Sequence, residues 1–321
     1  MTRIFSLGIL FLALLQINGC SLSKIAMSKV SATLTGSSNV FMGDDDPELI
    51  RDALPFTIKF YESLAQKDSL NPALLETTGK LFCLYAQAFV QFPADTLHDS
   101  LKAQKKAMGK RAKKLFLRGR DYALKALEVK YPGITASIKS GSADSAIALT
   151  NISDTSTLYW CGISWMAAIR SDRSDLALAM TTKRALAIMT QVLNLNQSFD
   201  NGGVHEFFCS YYATAPKALG GNDSSSLEHY QKAIDISDGK KVSPYVSYAT
   251  SLCIKLGDKK TFNEVLNKAA KLNIRTDKNT LLQNTIYQQH AKWLLENQNR
   301  FFKEDVPVNT SEPQTDTPIE Q

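Results

Sequence analysis

The sequence has little of what most enzymes and metal proteins depend on. It contains four histidines and five cysteines among 321 residues, and no two cysteines stand at the CxxC spacing of zinc ribbons or thioredoxin-like redox sites. It also contains no GxSxG elbow, no P-loop and no dinucleotide-binding fingerprint. These absences predict a protein without catalytic activity and without a cofactor.

A hydrophobic run long enough to span a bilayer is missing at the start of the chain. The apolar run at residues 4–15 follows Arg3 and has about a dozen residues, whereas a spanning helix needs about twenty. A basic residue, a short apolar run and a small residue are the parts of a secretory signal peptide. The sequence INGC that follows resembles the lipobox of bacterial lipoproteins, with Asn18 in place of the usual small or hydroxyl residue. We predict a signal peptide at 1–19 and acylation of Cys20, which would anchor the chain through several acyl chains; an incidental cysteine behind an ordinary signal peptide is the alternative.

The other cysteines are dispersed, and each stands alone among apolar residues. They are Cys83, Cys161, Cys209 and Cys253. A lone cysteine in such a segment usually packs as a small hydrophobe. We therefore expect all four to be buried, with disulfides as the alternative in an exported protein.

A strong excess of one charge is also absent. The chain has 37 basic and 31 acidic residues, a net charge of +6, which argues neither for nor against a nucleic-acid partner. The basic residues concentrate on one face of a long helix predicted between residues 97 and 127. They are Lys102, Lys105, Lys106, Lys110, Arg111, Lys113, Lys114, Arg118 and Arg120. The face lacks interleaved aromatic residues for stacking bases, so we expect no nucleic acid; a solvated face is favoured over a docking face for a membrane or partner.

The pattern of apolar residues predicts helix along almost the whole chain. Residues 46–302 carry apolar positions at helical spacing, beginning with an N-terminal cap at Asp46 and a proline in the first turn. We expect Pro55 to kink this first helix and the stripe of Phe56, Phe60 and Leu64 to continue it. Residues 20–45 are rich in small and hydroxyl residues and predict a flexible linker, and residues 303–321 predict a disordered tail.

Internal similarity predicts paired helices. Four stretches resemble one another: YALKALEV, TKRALAIM, YQKAIDIS and LNKAAKLN, and the last two are about 36 residues apart, close to the tetratricopeptide (TPR) period. Leu256, Gly257 and Asp258 would form the turn of one helix pair. We predict an all-α fold of TPR-like antiparallel helix pairs, arranged as an irregular right-handed solenoid or a closed bundle.

The segment at residues 200–221, DNGGVHEFFCSYYATAPKALGG, has an unusual concentration of aromatic residues between glycines. Its aromatic residues point to two sides of one short helix, so that helix is either central in the core or lines an apolar cavity. An earlier segment, LYWCGISWMAAIR, adds two tryptophans. The predicted ligand-binding residues are Trp160, Trp165, His205, Phe208, Tyr211 and Tyr212, and core packing is the alternative for each.

The same segment contains a five-residue sequence that differs from a zinc-protease motif at one position. HEFFC differs from HExxH in having Cys209 four residues after His205, with Glu206 as the potential base. The other histidines stand in separate segments without a ligand pattern. A zinc-dependent hydrolase at His205, Glu206 and Cys209 is therefore a remote alternative, because the sequence indicates no third ligand.

The sequence then shows a family resemblance. The segments WCGISWMAAI, RALAIM and GGVHEFFCSYYATAPKALGGNDSSSLEHYQKAIDISDGKKVSPYVSYA resemble the T-component of tripartite ATP-independent periplasmic (TRAP) transporters, a family of bacterial lipoproteins. The resemblance covers roughly residues 40–300. It implies a TPR-like helical fold that can form a homotrimer, with clefts lined by apolar side chains, beside a substrate-binding P-component.

From the resemblance we expect a periplasmic protein attached to a bacterial membrane through Cys20. Its expected role is to scaffold a P-component and to shelter a small hydrophobic or amphipathic ligand in an apolar helical cavity. A general TPR-type interaction lipoprotein in envelope assembly is the alternative, and it would bind peptide segments on a concave face.

Overall fold

The protein is all-helical over the part that the structure describes. The structure is a computed structural model that describes residues 38–302, and these residues contain helices, turns and loops but no β-strand. This confirms the predicted all-α class. The predicted signal peptide, the predicted lipidation site Cys20 and the predicted tail at 303–321 lie outside the described residues.

Two series of helices follow each other along the chain. The first series is α1 (Ser38–Met42), α2 (Pro47–Lys67), α3 (Pro72–Ala86), α4 (Phe92–Thr96), α5 (Lys102–Lys130), α6 (Ile134–Ser140), α7 (Ala143–Ile147), α8 (Thr155–Ser171), α9 (Leu176–Ala179) and α10 (Thr182–Leu195). The second series is α11 (Phe199–Thr214), α12 (Asp223–Ile236), α13 (Ser243–Tyr248), α14 (Ile254–Leu256), α15 (Lys259–Lys271) and α16 (Leu281–Glu296). A π-helical turn joins α3 to α4 and another joins α13 to α14. Helix α1 lies inside the stretch for which the sequence predicts a linker.

Helix α2 begins as its sequence predicts but buries a different face. The Asp46 side chain accepts hydrogen bonds from the backbone N–H groups of Glu48 and Leu49, and the helix runs through Pro55 without ending. Of the predicted stripe only Leu64 is buried, whereas Phe56 is 77% exposed. The stripe prediction is therefore wrong, because α2 carries a second apolar face that packs inward instead.

Helices of the first series build one core. Helix α3 packs on α5, α5 on α8, and α8 on α10, around side chains such as Phe116, Leu158 and Ile188. The α3–α5 crossing is close because two glycines meet there. A Cβ atom at Gly79 would lie 2.7 Å from the carbonyl oxygen of Gly119, so neither position has room for a side chain.

The second series builds another core around α13, α15 and α16. The predicted helix pair is present: α14 ends at Leu256, Gly257 adopts the left-handed conformation, and Asp258 caps α15. Phe262 and Leu266 are fully buried, as their spacing predicts. The TPR-like detail and its handedness remain predictions.

The end of the described chain returns to its beginning. Helix α16 contacts α1 and α2, and Leu282 packs in a small cluster with Ile50 and Leu54. Just after α16, the Arg300 guanidinium donates to the backbone carbonyls of Thr96 and Leu97. The helices between residues 38 and 302 thus close into a bundle.

The four cysteines in this bundle are buried and free, as expected. Burial raises the pKa of Cys83 to about 11 and that of Cys161 to about 12, so both are thiols at neutral pH. None of the helices between residues 38 and 302 has the length and apolar character needed to cross a membrane.

Candidate functional site

The candidate site is built on α11, which lies between the two cores. Val204, Phe207 and Phe208 pack into the first core, whereas Cys209 and Ala213 pack into the second. This confirms that α11 is buried on two sides. A helix in this position touches both halves of the bundle, so a change at its residues affects both.

A left-handed turn interrupts α11 just after its first residue. Asp200, Asn201 and Gly202 have φ values of 53°, 50° and 82°, a conformation that Asp and Asn tolerate better than other side-chain-bearing residues. At Gly202 a Cβ atom would lie 3.2 Å from the Cα atom of Ala233 on α12. The turn therefore brings the start of α11 close against α12, which explains the DNGG sequence.

A buried lysine holds this turn. The Lys241 side chain is 3% exposed, and its Nζ atom donates to the Asp200 carbonyl oxygen at 2.8 Å and to Asp200 Oδ2 at 2.7 Å. Glu206 Oε2 lies 3.7 Å away. Burial lowers the pKa of Lys241, but the two carboxylates outweigh burial and the pKa lies above its usual value. The ammonium is therefore charged at neutral pH.

Two histidines meet on the other side of α11. The Nδ1 atoms of His205 and His229 are 2.9 Å apart, so one ring donates and the other accepts. Burial, and then the neighbouring His229 charge, lower the pKa of His205 to about 4; burial also lowers the pKa of His229. Both rings are neutral at pH 7. His205 is 1% exposed, and its Nε2 atom has no hydrogen-bond partner among the described residues.

Two of the predicted aromatic residues lie against His229, and a third lies beside them. The Phe208 and Tyr212 rings stack with centroids 5.7 Å apart, and the His229 ring lies 5.2 Å and 5.4 Å from them. Tyr211 is stacked on Phe207 and its hydroxyl donates to the Leu219 carbonyl oxygen at 2.6 Å. We call His205, Phe208, Tyr211, Tyr212 and His229 the aromatic cluster.

The loop after α11 folds back over the end of the aromatic cluster. The Asn222 N–H donates to the Tyr212 carbonyl oxygen, and a Cβ atom at Gly221 would lie 1.9 Å from the Ala215 carbonyl oxygen. Only glycine fits there. An open depression of about 360 Å³ lies at this loop. It is lined by Ala215, Lys217, Gly221, Asn222, Asp223 and Lys255.

The two predicted tryptophans lie apart from the aromatic cluster. Trp160 packs edge-on against Tyr159, with the Lys80 ammonium over its ring. Trp165 donates from Nε1 to Thr181 Oγ1 at 2.7 Å. Both are buried in the first core. The structure thus brings together His205, Phe208, Tyr211 and Tyr212 but not Trp160 or Trp165.

The HEFFC segment does not form a metal site of the zinc-protease kind in the described residues. Glu206 accepts hydrogen bonds from Ser243 Oγ and Ser247 Oγ, away from His205. Burial raises the pKa of Cys209 to about 12, which keeps it a thiol. No group of three or more His, Cys, Asp or Glu side chains between residues 38 and 302 is arranged to hold a metal ion.

Comparison with known proteins decides the family. A model of the TRAP transporter T-component family matches residues 43–302. This chain belongs to the TRAP transporter T-component family. An uncharacterized protein of Treponema pallidum (strain Nichols) is 31% identical over 310 residues, which cover 91% of this chain and 96% of that protein.

The family sets the broad role of the chain. A T-component is an accessory part of a TRAP transporter, and the family is a transporter family, not an enzyme family. T-components are associated with the periplasm. The family match covers α11, the aromatic cluster and both cores.

Sequence reasoning missed three residues of this T-component's candidate site. His229 stands in a separate helix, Lys241 lies in a loop, and Asp200 precedes the aromatic run. The glycines of DNGG mark one end of the aromatic segment, but nothing in the local pattern pairs Asp200 with a lysine about forty residues later. Such pairings arise only when α11, α12 and α13 pack together.

Proposed function

We propose that this T-component is a lipid-anchored periplasmic protein that scaffolds a substrate-binding P-component and shelters a small hydrophobic or amphipathic ligand among its helices. The family match supports the transport context. The ligand site that the geometry supports best is the aromatic cluster on α11 and α12.

One observation carries the ligand proposal. His205 Nε2 is buried within an aromatic cluster and has no partner between residues 38 and 302. Leaving a buried polar atom unpaired costs on the order of 1–3 kcal/mol. A ligand hydroxyl or carboxyl group would pair with this nitrogen, while the Phe208 and Tyr212 rings would cover the apolar part of the ligand.

The depression at the end of α11 is the proposed way in. It lies beside the loop that Tyr211 and Tyr212 hold. Lys217 and Lys255 line it, and Lys255 is paired with Asp223. A carboxylate would be attracted to Lys217 at the surface, and separation of the loop from Tyr212 would open the aromatic cluster behind it.

Native mass spectrometry tests the ligand site. The protein purified from its own organism should carry a small organic molecule, and His205→Leu should lose it while the fold stays intact, because the leucine removes the unpaired nitrogen. Ser164→Ala is the matched control, since Ser164 Oγ is another buried atom without a partner among residues 38–302 but lies away from the cluster. Equal ligand occupancy in both variants would contradict the site.

The same measurement tests the partner. The chain mixed with the P-component encoded nearest to its gene should give a stable complex, built on the proposed homotrimer. If the chain remains a monomer and does not bind that P-component, the result would favour a general TPR-type interaction protein instead. Its peptide ligands would then be sought on a concave face.

Detergent phase partition tests the proposed lipidation of Cys20. In detergent phase partition the wild-type protein should enter the detergent phase, and Cys20→Ala should not, because it removes the acylated side chain. Wild-type partition in the variant would contradict lipidation.

A further inference from the structure

The first nineteen residues of α5 carry an unusual charge pattern. From Lys102 to Arg120 there are nine basic residues and no acidic one. Lys102, Lys105 and Lys106 lie at the N-terminal end of the helix, where the helix dipole disfavours positive charge. Helix stability therefore does not explain this arrangement.

Part of the basic face has no partner within residues 38–302. Lys113, Arg118 and Arg120 form ion pairs with acidic neighbours. Four other lysines are exposed and form no ion pair with any described residue. They are Lys102, Lys106, Lys110 and Lys114, which we call the lysine row. Their spacing of four places them on one face, where like charges repel.

An exposed apolar tip lies next to the lysine row. Leu176 begins α9 and Met180 directly follows it. They are 74% and 85% exposed, and we call them the apolar tip. Lys113 holds the loop before α9 against α5, because its Nζ atom bonds Asp172 at 2.6 Å and Asp175 at 3.0 Å. Lys113 shares the side of α5 that carries Lys106 and Lys110, so the start of α9, where the apolar tip begins, is attached beside the row.

We propose that the lysine row and the apolar tip bind the surface of an anionic lipid bilayer. Lysines attract anionic headgroups, and short apolar side chains enter the boundary between headgroups and acyl chains. The row spans about 18 Å along one helix, and the long lysine side chains can turn their ammonium groups towards one charged surface. The carboxylates of Asp172 and Asp175 are bonded to Lys113, and no described carboxylate forms an ion pair with a lysine of the row, which leaves the row for an external anion.

This surface acts independently of the proposed anchor at Cys20. An acyl chain would hold the protein on any bilayer, whereas the lysine row requires negative headgroups. The two contacts together would fix one orientation of the bundle on the membrane.

Hydrogen–deuterium exchange of the full chain on vesicles tests the proposal. On phosphatidylcholine vesicles containing phosphatidylglycerol, amides of residues 173–181 should exchange severalfold more slowly than on pure phosphatidylcholine vesicles. Attachment to the pure phosphatidylcholine vesicles reports the anchor alone, so failure of the anchor and failure of this surface give different results.

Two variants complete the test. Replacing the lysine row by glutamine should abolish the slowing, and Leu176→Ser with Met180→Ser should reduce it. The matched control replaces Lys259, Lys260 and Lys271 on α15 by glutamine and should leave it unchanged. Equal exchange on both vesicle types would overturn the proposal, as would slowing that persists without the lysine row. Slower amide exchange that appears only when the P-component is added would also overturn the proposal, because this face would then be a protein-docking surface.

Discussion

Lys241 illustrates how a single side chain ties the candidate site together. Its ammonium bonds the backbone and side chain of Asp200 and approaches Glu206, which also accepts from Ser243 and Ser247. A buried charge with paired partners contributes little net stability, but removal of one partner leaves the others uncompensated. The left-handed turn near the start of α11 therefore depends on this lysine.

We predict that Lys241→Met lowers the free energy of unfolding by about 3–5 kcal/mol. The methionine fills the space but leaves two carboxylates without their cation. The neighbour Lys240→Met is the control, because Lys240 pairs only with Asp238 at the surface and should change stability by no more than about 0.5 kcal/mol. Urea unfolding measures both, and equal effects would show that Lys241 does not hold the turn.

The histidine pair predicts a dependence of stability on pH. Folding lowers the pKa of His205 to about 4 and lowers that of His229, mainly through burial. The unfolded state therefore binds more protons below pH ~6.5, the ordinary pKa of histidine. Stability should be complete above that pH and should fall as the pH drops towards about 4. Glu228 opposes the shift and Lys232 adds to it.

The variant His205→Leu separates this effect from that of His290, whose pKa is also lowered to about 4 by burial. Melting temperatures measured between about pH 7 and pH 5 should fall less steeply in His205→Leu than in the wild type, because one proton-binding group is lost. An unchanged slope would mean that His205 does not take up a proton on unfolding in this range.

At the scale of single residues, the sequence indicated which residues are notable better than it indicated which residues they contact. It singled out His205, Phe208, Tyr211 and Tyr212, which the structure gathers on one helix because they recur within two turns. The HEFFC pattern directed attention to Cys209, yet the partner of His205 is His229 on the next helix. A period of 3.6 residues identifies neighbours on one helix and says nothing about which residue a second helix presents.

Among the elements, α2 has the clearest unassigned surface. Its inner face buries Ile50, Leu54 and Ile58, whereas Leu49, Phe56 and Phe60 are exposed on the outer face. The Phe56 and Phe60 rings lie 6.3 Å apart and nearly parallel. Exposed aromatic residues of this kind are typical anchors of protein interfaces, so this face is the first to test for the P-component contact of the proposed function.

We predict that the double variant Phe56→Ser with Phe60→Ser weakens P-component binding at least tenfold, because two aromatic anchors are lost. Its melting temperature should change little, since neither ring is in the core. Leu70→Ser is the control, an exposed apolar residue beyond the end of α2. Titration calorimetry measures the affinity. Unchanged P-component affinity with a lower native mass would assign the face to self-association instead.

The sequence predicted the buried face of a helix well where the helix has one apolar stripe and faces one core. On α15 Phe262, Leu266 and Ala269 are all fully buried, as their spacing requires. On α2 two apolar stripes compete, and only the packing of α3 and α16 decides which is covered. The π-helical turns at Gln87–Gln91 and Ala249–Cys253 left no signal in the apolar period, because each adds one residue inside a helix that otherwise continues.

For the whole molecule, the decisive contacts join the two ends of the helical region. Helical periodicity predicted paired helices but left open a solenoid or a closed bundle. Closure involves the contacts of α16 with α1 and α2, and those of Arg300 with Thr96 and Leu97, about 200 residues away in sequence. No local pattern encodes a contact of that separation, so closure could not be predicted from the sequence.

Arg300 therefore provides a test of closure. Its guanidinium donates to the Leu97 carbonyl oxygen at 2.8 Å and to that of Thr96 at 3.4 Å, pairs with Asp99, and lies 5.1 Å from the centre of the Trp293 ring. Hydrogen bonds from a charged donor contribute about 1.5–3 kcal/mol. Arg300→Ala should lower the free energy of unfolding by about that amount, and Arg300→Lys should recover only part of it, because an ammonium lacks the planar fork.

Hydrogen exchange distinguishes closure from a general loss of stability. In Arg300→Ala, amides of residues 92–101 and 296–302 should exchange faster while α5 and α8 keep their protection, because only the contact between the two ends is released. Arg275→Ala is the matched control: Arg275 also joins the two ends, through Asp45, but its side chain is 76% exposed, and such an ion pair contributes at most about 1 kcal/mol. If both variants showed the same small effect, the ends would be held by the apolar contacts of Ile50, Leu54 and Leu282 alone.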